Sequence, residues 1–297
     1  MRITIFGATG LLGQDLTKEW PASHSDDVVT GLGSRDADIR DAHQVAAAVR
    51  RTKPDLIVLS AAYTDVDGCE TNRDLAFAVN RDGAVNVAKA AKAQGSRLLF
   101  VSTDYVFDGK SSVPYETDHS RAPQGIYGRS KAEAEERLLE ISPEFCIART
   151  SWLFGTGGKC FPDTILKLAT TRKEIDVVTD QRGSPTYSVD LAHAIIQLCH
   201  AKAQGIVHAT NRGDCSWFEF AQEIIRRAGL STVVRPTTSD KFVRPAPRPA
   251  YSVLSPKSLN EYGITMPDWR EALGRYLAER AAPTAHLPRP LSRLRPK

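Results

Sequence analysis

Short apolar runs alternate with amphipathic stretches along the first half of the chain. Arg2–Phe6, Asp27–Leu32, Asp55–Ala61, Arg97–Ser102 and Glu144–Thr150 are brief and rich in Val, Ile, Leu and Phe. Runs of this length predict strands buried on both faces of a parallel sheet. Between them, Leu11–Glu19, Ala42–Arg51, Leu75–Ala93 and Tyr127–Glu140 carry apolar residues at helical spacing. Pro54 stands just before the third run, where a helix must already have stopped. Strand and helix in regular alternation predict an α/β fold, a doubly wound parallel sheet with helices on both faces.

Beyond Ser151 the alternation loosens. Helices are expected at Pro162–Thr171, Val189–Ala203, Trp217–Ala228 and Trp269–Arg280, with short strands at Glu174–Val178 and Gly205–Thr210. Arg244–Ser252 holds too much proline for either element and reads as a stiff loop. The division expected is a nucleotide-binding domain over residues 1–150 and a smaller α/β substrate-binding lobe over 151–282, partly interleaved with the first. Residues 283–297 form a basic, proline-rich tail expected to be disordered.

Charge changes this picture little. Arg289, Arg293, Arg295 and Lys297 in that tail match the formal net charge of +4, so the remaining body is neutral. Neither nucleic acid nor a membrane surface is indicated as a partner. No apolar run is long enough to span a bilayer, and the N-terminal apolar stretch is too short for a signal peptide. The five cysteines (Cys69, Cys146, Cys160, Cys199 and Cys215) are scattered without a C-x-x-C pair, which fits reduced thiols in a cytoplasmic protein. The histidines (24, 43, 119, 193, 200, 208 and 286) lack metal-ligand spacing, and no metal site is predicted. Trp217, Phe218 and Phe220 are expected in the core of the second lobe.

The glycines carry chemistry. Gly7, Gly10 and Gly13 follow the first strand and open the first helix, the context a dinucleotide-binding turn requires. Gly7 permits the turn, Gly10 lets backbone approach a pyrophosphate, and Gly13 lets helix pack on sheet. The fold is therefore read as Rossmann-type, with a nicotinamide cofactor. An acid that would bond the ribose 2′-hydroxyl of NADH is missing where Leu32, Gly33 and Ser34 stand. Arg35 follows and would pair with a 2′-phosphate, which favours NADPH; Asp36 and Asp38 keep NADH open.

Tyr127 and Lys131 stand one helical turn apart, so they share a face. Reducing a carbonyl needs a hydride on carbon and a proton on oxygen. A tyrosine whose pKa is lowered by a neighbouring ammonium could give that proton. Ser102 and Thr103, at a strand's C-terminal end, could hydrogen-bond the reacting oxygen.

The stretches FGATGLLGQDL, PDLIVLSAAYTDVDGCE, FAVN, VSTDYVFDG, YGRSKAEAE, ARTSWLFG, DQRGSPTYSVDLA and RPAPRPAYSVL, with MPDWREAL near the end, run from residue 3 to 273. Together they resemble the extended branch of the short-chain dehydrogenase/reductases, and more narrowly the dTDP-4-dehydrorhamnose reductase family. The resemblance implies NAD(P)H-dependent reduction of the C4 ketone of a dTDP-bound 6-deoxyhexose to dTDP-L-rhamnose, a precursor of cell-surface polysaccharide. It implies Tyr127 as proton donor, Lys131 as its electrostatic partner and Thr103 as the hydroxyl facing the sugar carbonyl. Gly10, Leu11 and Leu12 would meet the pyrophosphate, Asp38 and Ile39 the adenine, and Ala62, Tyr63 and Thr64 the cofactor channel. Thr103, Asp104 and Trp152 would touch the sugar nucleotide, and Arg248 its diphosphate.

Some members of that family are magnesium-dependent homodimers, for which Asp15 and Asp190 are candidates by position; the sequence leaves both points open. Two other readings remain. A sugar-nucleotide dehydratase or epimerase would need a second acid after Thr103-Asp104, where Tyr105 stands. A non-catalytic regulatory subunit, like the β subunit of methionine adenosyltransferase, would keep the fold and the cofactor site.

Overall fold

The computed structural model describes residues 1–281, so the tail at 283–297 lies outside the described residues. The first elements are β1 (Arg2–Phe6), α1 (Leu11–Ser23), β2 (Val28–Leu32), α2 (Ala42–Thr52) and β3 (Leu56–Leu59). Then come α3 (Val66–Thr71), α4 (Arg73–Phe77), a π-helical turn (Ala78–Gly83), α5 (Ala84–Gln94), β4 (Arg97–Thr103), α6 (Ile126–Ile141) and β5 (Cys146–Thr150). After β5 the chain forms β6 (Leu153–Phe154), α7 (Phe161–Ala169), β7 (Glu174–Val178), β8 (Arg182–Gly183), β9 (Thr186–Tyr187), α8 (Ser188–His200) and β10 (Gly205–His208). It closes with β11 (Cys215–Ser216), α9 (Trp217–Arg227), β12 (Val233–Thr237), α10 (Lys257–Asn260) and α11 (Trp269–Ala281).

The main sheet runs β10-β5-β4-β3-β1-β2, and every pair in it is parallel. Its inner strands are apolar on both faces because both are covered. Ile3, Ile5, Val58 and Leu99 pack with Leu16 and Trp20 of α1 and Leu191 and Ile195 of α8. Phe6, Ile57, Phe100 and Ile147 pack on the other side with Val45, Val87 and Leu138. From β1 the chain goes outward to β2, then from β3 it proceeds through β4 and β5 on the other side, so the strand order reverses between β1 and β3 and opens a crevice at the strands' C-terminal ends.

Residue 150 is not where the sheet ends. The chain leaves after β5, starts the second lobe, and returns as α8, which packs on α1, and β10, which pairs with β5. The second lobe proper joins β7 to β12 in parallel and encloses Phe154, Phe220, Trp269 and Tyr276. Phe220 is buried there as expected, whereas Trp217 and Phe218 are only half-buried at its edge.

The stretch expected as one helix over Leu75–Ala93 is broken. Its middle takes the wider π turn at Ala78–Gly83, which buries the side chain of Asn80. Such turns insert one residue into a helix and turn a side chain toward a site. No helix among the described residues is long and apolar enough to cross a membrane.

Candidate active site

At the crevice lies a cavity of about 740 Å³ whose floor is the glycine turn between β1 and α1. Gly7 has a φ of +91°, and a Cβ there would stand 2.5 Å from the Ala61 nitrogen. A Cβ on Gly13 would meet the Gly7 carbonyl at 2.0 Å. Gly10 forms the N-cap of α1 without any side-chain cap, so the first-turn N–H groups of Leu11, Leu12 and Gly13 face an open site. Close backbone, no side chain and the positive end of a helix fit a pyrophosphate.

Asp38, Ile39, Ala62, Tyr63 and Thr64 line the same cavity, as do Thr103, Asp104, Tyr127, Lys131 and Trp152. Two expected residues do not. Arg35 is exposed and off the wall, because Asp36 accepts from the Gly33 N–H at 2.8 Å and turns the loop after β2 outward. Arg40 reaches the wall instead, with its Nε held by both oxygens of Asp38 at 3.0 Å. Arg248 lines a neighbouring cavity of about 650 Å³, together with Arg172, Arg244, Gln181 and Trp217. Tyr105 belongs to the walls of both cavities.

Helix α6 brings Tyr127 and Lys131 to the strand end. It can approach because Gly128 rides on the Tyr105 carbonyl, where a Cβ would come within 2.1 Å. Lys131 is buried, its Nζ donating to the Val101 carbonyl at 2.7 Å and lying 3.8 Å from the centre of the Phe100 ring. Burial pulls its pKa down to about 7, with Glu135 acting in the opposite direction.

Tyr127 departs from the sequence expectation of a lowered pKa. Burial pushes its phenol above the ordinary value; Asp104 adds to the rise, and the Thr103 hydroxyl opposes it. Desolvation wins over any help from a lysine that is itself only partly charged near neutrality. The phenol therefore keeps its proton at neutral pH, which is the form a donor needs.

Thr103 ends β4 and donates from Oγ1 to Asp104 Oδ1 at 3.0 Å. Asp104 is buried, and its other carboxylate oxygen has no protein partner. Burial raises its pKa to about 6, with Ser252 and Thr103 pulling it back. A buried carboxylate with a free acceptor suits a ligand hydroxyl.

Trp152 holds a φ of +46°, a conformation uncommon for a side chain of its size. It stacks on Trp217 with ring centroids 3.5 Å apart and planes within 4°. Gly183 makes room for it, since a Cβ there would sit 2.5 Å from the indole. The stack joins the two cavities, so Trp217 is a wall rather than the core residue its periodicity suggested.

Several supporting residues were not singled out in the sequence. Asn80 accepts from the Tyr63 N–H at 2.8 Å and donates to the Tyr63 carbonyl and Ser130 Oγ, each at 3.0 Å. Ser130 in turn donates to the Tyr127 carbonyl at 2.8 Å. Glu70 of α3 accepts the Ile126 N–H at 2.7 Å, capping the helix that its own N-cap, Gly125, leaves uncapped. The only hint was the buried-looking asparagine in FAVN.

The magnesium candidates do not fit a metal. Asp190 accepts from Asn211 at 2.7 Å and Arg275 at 2.8 Å, so a guanidinium already stands against it. Asp15 is buried with its pKa raised by desolvation. No cluster of three His, Cys, Asp or Glu suited to a metal occurs among the described residues. All five cysteines are free and buried.

With this geometry in place, similarity to known proteins is decisive. The family described as RmlD substrate binding domain matches residues 1–282. The chain belongs to that family. A Mycobacterium tuberculosis protein named dTDP-4-dehydrorhamnose reductase is 41% identical, covering 96% of this chain and 95% of its own length. A Streptomyces antibioticus protein named probable dTDP-4,6-dihydroxy-2-methyloxan-3-one 4-ketoreductase is 40% identical over 92% of this chain and 93% of its own. The crystal structure of a Bacillus anthracis dTDP-4-dehydrorhamnose reductase in complex with NADP is similar with a TM-score of 0.90 at 40% identity, covering 94% of this chain and 99% of that one. In this RmlD-family chain the glycine turn, Thr103, Tyr127 and Lys131 all face one cavity.

Proposed function

We propose that this protein is an NAD(P)H-dependent dTDP-4-dehydrorhamnose reductase, reducing the C4 ketone of the dTDP-bound 6-deoxyhexose to dTDP-L-rhamnose. The observation that carries the reading is the convergence of Thr103, Tyr127 and Lys131 on the cavity floored by the glycine turn. Reduced nicotinamide cofactor, bound there, supplies the hydride. Gly10, Leu11 and Leu12 would hold its pyrophosphate, and Tyr63 and Thr64 the channel beside it. NADPH is the favoured form, with Arg40 the cation on the cavity wall.

The remaining work falls to side chains of this chain. Thr103 orients the ketone oxygen by turning its one hydroxyl proton from Asp104 to the ligand. The Tyr127 phenol donates its proton to that oxygen as the carbonyl carbon becomes tetrahedral. Lys131 stabilises the phenolate left behind and holds the ribose. Asp104 accepts from a sugar hydroxyl. Arg248, Arg244 and Arg172 give the adjoining cavity the positive charge a diphosphate needs, and Trp152 on Trp217 offers an aromatic face. The protein would act in the cytoplasm on a nucleotide sugar, without a nucleic-acid partner; a homodimer is compatible with this reading.

The test follows NADPH and, separately, NADH by absorbance with dTDP-4-dehydro-β-L-rhamnose. Turnover with that sugar, and markedly less with dTDP-4-keto-6-deoxy-D-glucose, is the expected result. No oxidation of either cofactor despite tight nucleotide binding would overturn the assignment and favour a regulatory subunit.

A further inference from the structure

Residues 155–159, with the sequence GTGGK, lead from β6 toward α7, and only the first glycine falls within the stretches that carry the resemblance. This segment folds back onto the first turn of α1. Gln14 of α1 donates from its amide nitrogen to the Thr9 carbonyl at 3.0 Å and to the Gly157 carbonyl at 2.9 Å. One side chain thus ties the segment to the glycine turn. The approach is close: a Cβ on Gly155 would stand 2.0 Å from Ser188 Oγ, and one on Gly157 3.2 Å from the Leu11 carbonyl oxygen. Lys159 ends the segment, on the wall of the cavity that the glycine turn floors.

We infer that Lys159 is a further cofactor-binding residue, a cation that meets the pyrophosphate of the dinucleotide beside the first turn of α1. This role rests on the nicotinamide-cofactor reading proposed above.

Three cations line the cavity among the described residues: Arg40, Lys131 and Lys159. Arg40 is already held by both oxygens of Asp38. Lys131 is buried and donates to the Val101 carbonyl. Lys159 is exposed, and its ammonium has no hydrogen-bond or ion-pair partner among the described residues. Two acids, Asp38 and Asp104, share the wall and offset the first two cations. The positive charge left to receive a ligand is therefore that of Lys159. A pyrophosphate carries a negative charge on each phosphate, and the helix N-terminus answers with only about half a unit of positive charge. One unpaired ammonium beside that helix end closes much of the gap.

A lysine in a glycine-rich loop is ordinarily a solvated surface charge. Here the loop is fastened by Gln14 to the turn that would hold the phosphates, which fixes where the charge is carried. Lys159 takes no part in the neighbouring cavity where Arg244 and Arg248 stand, so the diphosphate it meets is the cofactor's and not the sugar nucleotide's.

Calorimetric titration of the full chain with NADPH, NADH and ADP-ribose compares wild type with Lys159→Gln and Lys159→Arg. All three ligands carry the pyrophosphate, only NADPH carries the 2′-phosphate, and ADP-ribose lacks the nicotinamide. Lys159 is exposed and unpartnered, so its replacement leaves the fold intact. Lys159→Gln should raise Kd about three- to tenfold for all three ligands and flatten the rise of Kd with added salt. Lys159→Arg should keep affinity and salt dependence near their wild-type values. A loss confined to NADPH would assign the ammonium to the 2′-phosphate and overturn the inference. Kd values that all stay within about twofold of wild type, the scale of an exposed charge without a partner, would overturn it as well. Turnover is measured separately. A wild type that binds dinucleotide but does not reduce dTDP-4-dehydro-β-L-rhamnose removes the reductase reading, and the titrations still decide Lys159.

Discussion

Asn80 donates to Ser130 Oγ at 3.0 Å, tying the π-helical turn to the helix that presents Tyr127. The same amide grips both backbone groups of Tyr63 on the cofactor-lining loop. Asn80→Ala leaves buried polar groups of Tyr63 unpaired, which costs about 1–3 kcal/mol for each group that finds no water. The expected outcome is a lower midpoint in urea unfolding and a raised KM for NADPH. Unchanged cofactor kinetics would show that the Tyr63 loop holds its shape without this lock.

Tyr127→Phe removes the phenolic proton and almost nothing else, since the ring keeps its edge contact with Tyr105 at 5.6 Å. Loss of a general acid lowers kcat by about 10²–10⁴-fold. NADPH affinity, read by fluorescence titration, should change little. A variant that turns over at the wild-type rate would take the tyrosine out of the mechanism.

The strands that position these residues were legible because a parallel sheet covered on both faces leaves continuous apolar runs such as Leu56–Leu59. The glycine turn was legible because a helix start after a strand leaves Gly7 and Gly13 no alternative residue. What periodicity does not disclose is which neighbour an apolar face meets. Helix α8 is apolar enough to be buried anywhere, and its return to α1 became visible only in three dimensions. Trp217 likewise fits a core stripe, and only its stack on Trp152 reveals a wall. The pKa of Tyr127 was misjudged for a related reason: spacing shows that a lysine is near but not how dry both groups are.

Arg248 is not free to meet a ligand in this structure. Its Nη1 lies 2.9 Å from Asp67 Oδ1, and Asp67 also takes Arg244 and the Ala246 N–H, each at 3.2 Å. A diphosphate in the adjoining cavity would compete with Asp67 for both arginines. Arg248→Ala should raise KM for the sugar nucleotide about tenfold or more while leaving KM for NADPH near its wild-type value, as expected for one lost charge-assisted hydrogen bond. Equal effects on both KM values would indicate that the loop, rather than the charge, had been disturbed.

Asp104 gives a prediction with a definite sign. Its folded pKa of about 6 lies above the ordinary aspartate value of 3.8, so the folded state binds this proton more tightly than the unfolded chain does. Stability from this group is therefore greatest when both states are protonated and declines as pH rises from about 4 to 6; above 6 the full penalty of a buried charge is present. Asp104→Asn removes that penalty and leaves a side chain of the same shape. At pH 7.5 the variant should be more stable than wild type by no more than about 3 kcal/mol, and the difference should shrink toward zero below pH 4. Urea denaturation of both proteins across this range measures it. Turnover should fall in the same variant, because the proposed role of Asp104 is to accept from a sugar hydroxyl and an amide puts a donor group beside that acceptor. An Asp104→Asn protein that is no more stable at pH 7.5 than at pH 4, relative to wild type, would mean that the carboxylate is solvated in the folded state and that its burial does not set its pKa.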